Sequence, residues 1–144
     1  TYQDALVDFS NAPERSMKLS VISINTAGST AATSELTVSN PAPAPVTGLQ
    51  AQIQQNNANS YELRLDWNVH GDADIKDYYI YASTVQGFTP AQSNKVAQTS
   101  GNFAIFTVSK TGAPPTIYYR VEVQDVWGAS PATSMTAEQS LALP

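Results

Sequence analysis

The segment Tyr118-Tyr119-Arg120-Val121-Glu122-Val123-Gln124 alternates without a break, with Tyr119, Val121 and Val123 on one side and Tyr118, Arg120, Glu122 and Gln124 on the other. A period of two in β-branched and aromatic residues is the mark of a half-buried strand. Gly128 and Pro131 then force a turn. One hundred residues upstream the phrase recurs as Leu19-Ser20-Val21-Ile22-Ser23-Ile24, where Val21 matches Val121, Gly28 matches Gly128, and Ala32-Thr33-Ser34 matches Ala132-Thr133-Ser134. That spacing is too long for a solenoid repeat and fits a duplicated β-sandwich domain.

Composition supports the same class. Charged residues make up 13% of the 144 positions against a hydrophobic fraction of 42%, a neutral, turn-rich style typical of extended all-β modules. The net charge of -5 argues against nucleic acid or an anionic membrane as partner. No apolar run approaches the ~20 residues that a membrane-spanning helix needs. Cysteine is absent, which removes disulfides and thiolate chemistry. The chain opens on Thr1 rather than Met, and we expect it to be a piece of a longer protein.

Three segments follow from the pattern of breaks. Residues 1–39 read as three strands, around Ala5-Val7-Phe9, Met17 to Ile24 and Glu35 to Val38, too few to close a sandwich alone. Asn40-Pro41-Ala42-Pro43-Ala44-Pro45 is a semi-rigid extended linker, because proline fixes its own φ and biases the residue before it. Residues 46–144 carry a full set of seven strands. They begin at Leu49 to Ile53, with Leu63, Leu65 and Trp67 alternating on the second and Ile75 to Ser83 forming the third. A short edge strand near Val96, a fifth over Phe103 to Ser109, the ladder above, and a last strand over Ser134 to Leu143 complete the set, with no helix of any length. On the fifth, the alternation leaves open whether Phe106 and Val108 or Ile105 and Thr107 face inward, and a one-residue slip exchanges the two.

Chemistry leaves few traces. His70 is the sole histidine, and no serine sits in a nucleophile elbow, so no enzyme, catalytic residue or cofactor is indicated. Asp72-x-Asp74 begins like a calcium loop but fails at Lys76, where a third ligand is due, so these carboxylates are expected to bond backbone N–H groups and shape the turn.

Trp67 on the second strand, Tyr78-x-Ile80 on the third, and Tyr119-x-Val-x-Val leading to Gly128-x-Ser130 on the sixth resemble a fibronectin type III domain, an immunoglobulin-like β-sandwich. The resemblance implies that Trp67 packs across the sandwich and that Tyr119 ties down the corner before it. It covers residues 46–144 fully and residues 1–39 as the last strands of a preceding copy, where Leu19 replaces the corner tyrosine. Asp74-Ile75-Lys76-Asp77-Tyr78-Tyr79-Ile80-Tyr81 with Gly87-Phe88-Thr89, and Asp125-x-Trp127-Gly128, are similar to the fibronectin modules of phage tail-tip proteins of the host-specificity protein J group and of tail-fibre proteins. That likeness implies a structural module of a virion tail, with other tail subunits as partners in a homotrimeric parent and a host surface receptor within its reach. The rival reading is a spacer module of a secreted bacterial glycoside hydrolase or surface adhesin.

In such a sandwich the third and sixth strands are neighbours. If Tyr78, Ile80, Tyr119, Val121 and Val123 face the core, then Tyr79, Tyr81, Tyr118 and Arg120 share an exposed outer patch, a candidate interaction surface. Phe88, in its Gly-Phe-Thr-Pro turn, joins the candidates as a partly exposed aromatic, and Trp127, beside Gly128 in a loop, joins them although a ring of that size is expected to pack against the last strand.

Overall fold

A computed structural model describes residues 15–21, 26–28, 34–112, 116–129 and 131–144. Two compact units divide between Ala42 and Pro43. In the first, β1 (Ser16–Val21) and β2 (Ser34–Ser39) form an antiparallel pair that sets Met17 opposite Val38 and Leu19 opposite Leu36. The expected strand around Ala5, Val7 and Phe9 lies outside the described residues.

The second unit is a sandwich of two antiparallel sheets. One contains β3 (Gln50–Asn56), β4 (Ser60–Asp66) and β7 (Phe103–Ser109), in the order β3-β4-β7. The other contains β5 (Ile75–Ser83), β6 (Lys95–Thr99), β8 (Thr116–Asp125) and β10 (Gln139–Ala142), in the order β10-β8-β5-β6, and a two-residue β9 (Gly128–Ala129) returns along the end of β8. Alternation along the strands does the sorting. Tyr61, Leu63 and Leu65 of β4 with Ala104 and Phe106 of β7 meet Tyr78 and Ile80 of β5 and Ile117, Tyr119, Val121 and Val123 of β8 in one core. On β7 the inward set is thus the one containing Phe106, and Ile105 is left 40% exposed.

Trp67 follows directly on β4 and is buried, its ring 5.2 Å from that of Tyr78. Its backbone is clamped on both sides, the N–H donating to the Asn102 carbonyl and the Asn102 amide donating to the Trp67 carbonyl. Just ahead of β3, Gly48 adopts a left-handed φ of 66° against Asn68, and any side chain there would collide with the Asn68 amide.

Three expectations need correction. The extended Pro/Ala run is not wholly a spacer: Pro43 is buried, its carbonyl accepts a 2.7 Å bond from Ser134 Oγ, and the Ala44 carbonyl lies 2.9 Å from His70 Nε2. Proline lays an extended path whose carbonyls stay available, and the second unit captures them. The last strand is shorter than expected and a helical turn, α1 (Pro131–Ser134), precedes it. Proline suits the first turn of a helix because its missing N–H would have no partner there. Between α1 and β10 the chain still follows β8, through a bridge from Met135 to Glu122 and reciprocal bonds between Thr136 and Val121. At the Asp72–Asp74 turn the Asp72 carboxylate lies 3.7 Å from His70 Nδ1, which accepts from the Asp72 N–H, and the Asp74 backbone carbonyl accepts from Val126. Where Tyr119 would tie down its corner, residues 113–115 fall outside the description.

Trp67→Ala should destabilise the second unit by about 3 to 5 kcal/mol, the usual cost of emptying a large aromatic site in a packed core. Urea unfolding followed by circular dichroism checks this, and a midpoint unchanged from the parent would refute the role given to Trp67.

Candidate interaction surface

β5 pairs with β8 from Asp77 opposite Gln124 to Ser83 opposite Tyr118, so their outward residues form rows across the sheet: Gln98, Tyr79 and Glu122 in one, and Lys95, Tyr81 and Arg120 in the next. The geometry does bring Tyr79, Tyr81, Tyr118 and Arg120 onto one face. It does not leave them equally open.

Tyr81 is only 8% exposed, and so is Phe88. Tyr81 points outward yet is covered, because the loop after β5 folds back over the sheet. Gly87 donates its N–H to the Glu138 carboxylate at 2.9 and 3.1 Å, and the Arg120 guanidinium lies 5.8 Å from the Phe88 ring. Phe88 therefore packs down instead of standing free in its turn. The Tyr81 hydroxyl donates to Glu122 Oε2 at 2.7 Å, and the Gln124 amide donates to Oε1 at 2.7 Å. Glu122, Gln124 and Asp125 are buried although alternation assigns the first two to the outer face. A carboxylate so desolvated requires donors, and the Tyr81 and Gln124 side chains supply them.

What stays open at the surface is Tyr79, Tyr118, part of Arg120 and Trp127, all half-buried. Lys95 Nζ sits 4.3 Å over the Tyr79 ring, and the Gln98 amide donates to Asp77. Arg120 keeps 28% of its side chain exposed and reaches the Glu138 carboxylate only at 4.0 Å. Trp127 follows the tight turn closed by its own N–H bonding Asp125 Oδ1. The signal in the sequence for the covered members was Glu138, which nothing short of the folded chain connects to Gly87.

Ionisation follows burial. The hydroxyl of Tyr81 is pushed well above the ordinary tyrosine range by desolvation and by the neighbouring Glu122. Burial also raises Tyr78 and Tyr119. Among the described residues no group of three or more acidic or histidine side chains is placed to hold a metal ion.

The sixth fibronectin type III domain of human fibronectin type III domain containing protein 3 superposes with a TM-score of 0.54 at 18% sequence identity, over 74% of this chain and 91% of that domain. The fold is fibronectin type III-like. The spore cortex lytic enzyme SleM of Clostridium perfringens aligns at a TM-score of 0.48 and 18% identity, over 70% of this chain and 28% of that enzyme, a likeness too loose to bear on function. No family model and no curated protein matches the sequence.

Because the folded pKa values of Tyr78, Tyr81 and Tyr119 lie above the unfolded value of about 10, stability should be full below that pH and fall as pH rises past it, when only the unfolded chain releases these protons. Absorbance at 295 nm should show these tyrosines ionising only as the domain unfolds. Tyr81→Phe should cost about 1 to 3 kcal/mol, since Glu122 then loses a donor. Ionisation of every tyrosine near pH 10 with the fold intact would contradict the burial described.

Proposed function

We propose that this chain is a non-catalytic structural and interaction region of a phage tail-tip or tail-fibre protein, whose fibronectin type III-like module spaces or presents host-recognition parts. The observation that carries this reading is the outer face of β5 and β8. Tyr79 and Tyr118 lie half open beside a floor of Tyr81, Phe88 and Glu122, with Arg120 reaching Glu138 at 4.0 Å and lying 5.8 Å from the Phe88 ring. Tyrosine and arginine supply large contact area and several donors, and a floor that is already ordered lowers the entropy lost on docking. The partner on this reading is a neighbouring tail subunit in a trimeric parent, and a host receptor lies beyond it. The phrase-level likeness to tail-tip modules around Asp74–Tyr81 and Asp125–Gly128 gives the reading its biological setting.

The expected effect of Tyr79→Ser combined with Tyr118→Ser is weaker assembly of the parent protein with the module still folded, seen by light scattering beside a melting curve. Unchanged assembly with lowered stability would reduce these tyrosines to cross-strand packing, worth a few tenths to about 1 kcal/mol per pair.

We further infer that residues 1–39 are the closing strands of a preceding module. At the hundred-residue offset Leu19 corresponds to Tyr119, which is 4% exposed, whereas Leu19 is 46% exposed and Leu36 61%. In the second unit that face of β8 is covered by the β4 and β7 side chains. Supplying the upstream sequence of the parent should therefore slow amide exchange along β1 and β2 by orders of magnitude, the difference between a frayed pair and a cooperative core. Equally slow exchange in residues 1–144 alone would count against the shared-module reading.

A further inference from the structure

The segment that leads into β3 is tied down more closely than its sequence requires. Asn68 and Thr47 bond twice, the Asn68 N–H donating to the Thr47 carbonyl at 2.9 Å and the Asn68 amide donating to Thr47 Oγ1 at 3.1 Å. Further back, His70 Nε2 lies 2.9 Å from the Ala44 carbonyl, and Ser134 Oγ donates to the Pro43 carbonyl at 2.7 Å. Pro43 and Ser134 are fully buried, and Val46 belongs to the core. The loop after β4 and the α1 turn, far apart in sequence, thus hold one extended arm between them.

His70 is fitted to this task through both ring nitrogens. A carbonyl can only accept, so Nε2 carries the proton that faces Ala44. Nδ1 accepts from the Asp72 N–H at 3.2 Å and is the bare nitrogen of the same neutral ring. The side chain is 10% exposed, so the ring is enclosed as well as bonded at both ends.

In the first unit, pairing runs one step past β2. The Asn40 N–H donates to the Arg15 carbonyl at 2.7 Å, just beyond the Ser16–Ser39 pair. Between that bond and the captured Pro43 carbonyl stand Pro41 and Ala42, and neither makes a hydrogen bond among the described residues. Their torsions are few. Ring closure fixes φ at Pro41 and at Pro43. Asn40 and Ala42 each precede a proline, which confines their ψ to extended values. What stays soft is ψ of Pro41 and φ of Ala42.

We propose that Asn68, His70 and Ser134 form a clasp that makes residues 43–47 a rigid part of the second unit and leaves residues 41–42 as the joint between the two units. The six-residue Pro/Ala run then works as a joint of two residues followed by a fastened arm. Because the fastening at Pro43 and Ala44 is made by side chains, the joint can be lengthened without altering either sheet. The inference concerns the joint alone and does not rest on the partner proposed for the face of β5 and β8.

The test is NMR relaxation of the backbone amides in the 144-residue chain, read at Ala42 and Ala44, which bracket Pro43. The order parameter of Ala44 should match that of β4, at about 0.85, while Ala42 should fall toward the roughly 0.6 of flexible backbone. His70→Ala combined with Ser134→Ala should bring Ala44 down to the Ala42 value, and each change alone should lower it part of the way. NMR of the His70 ring in mildly alkaline solution should show the proton on Nε2. The amide pattern of β8 reports whether each variant is folded. Equal order at Ala42 and Ala44 in the parent chain would overturn the proposal, as would an Ala44 that stays ordered in the folded double variant. Should the double variant not fold, unchanged Ala44 order in both single variants has the same force. A proton found on Nδ1 would also overturn it, since His70 could not then donate to Ala44.

Discussion

The second unit depends on β8 being enclosed along its whole inner face and, on its outer face, at Glu122 and Gln124. One face is closed by the opposing sheet, where Val121 and Val123 are fully buried against β4 and β7. On the other, Tyr81 and Phe88 are covered by the chain itself, and at the strand's edge Met135 bridges Glu122. Enclosure forces every backbone group of the strand to find a partner, and β8 does so through β5, β10, β9 and Thr136. It also forces the Glu122 carboxylate to be satisfied internally, which the Tyr81 hydroxyl and the Gln124 amide accomplish. Remove the lid and Glu122 would be solvated, but Tyr81 would then have no reason to stand where it does.

This explains what could be read from the sequence and what could not. Inward faces were legible because alternation is local: Leu63, Leu65, Ile80, Tyr119, Val121 and Val123 each declare their side within a strand, and Trp67 follows its strand into the core. Strand neighbours were legible through the family resemblance. Exposure of the outer face was not, because it depends on contacts such as Gly87 with Glu138, 51 residues apart, which no local period encodes. Tyr81 was therefore assigned to the right face and the wrong environment, and Phe88, expected to be partly exposed in its turn, is buried. The row of Gln50, Asp66 and Phe103 was invisible for the same reason, since these residues meet only after three strands register.

The approach to β3 shows a related limit. Proline alternation says that residues 40–45 are extended, which is correct in kind, but not what receives them. Ser134 Oγ and His70 Nε2 take the carbonyls of Pro43 and Ala44, so the solitary histidine has a structural task that a search for catalytic groups would pass over.

Arg64 links two properties usually discussed apart. β7 is a seven-residue edge strand without a charged residue or proline, bearing two open apolar side chains, the kind of strand that in other proteins templates unwanted pairing. Its only adjoining charge is Lys110, just past its C-terminal end. The guanidinium of Arg64, reaching across from β4 and anchored by Asp66, lies over the Phe103 ring and puts a hydrated charge where the strand has none. Solubility of this sheet edge is thus borrowed from the strand beside it.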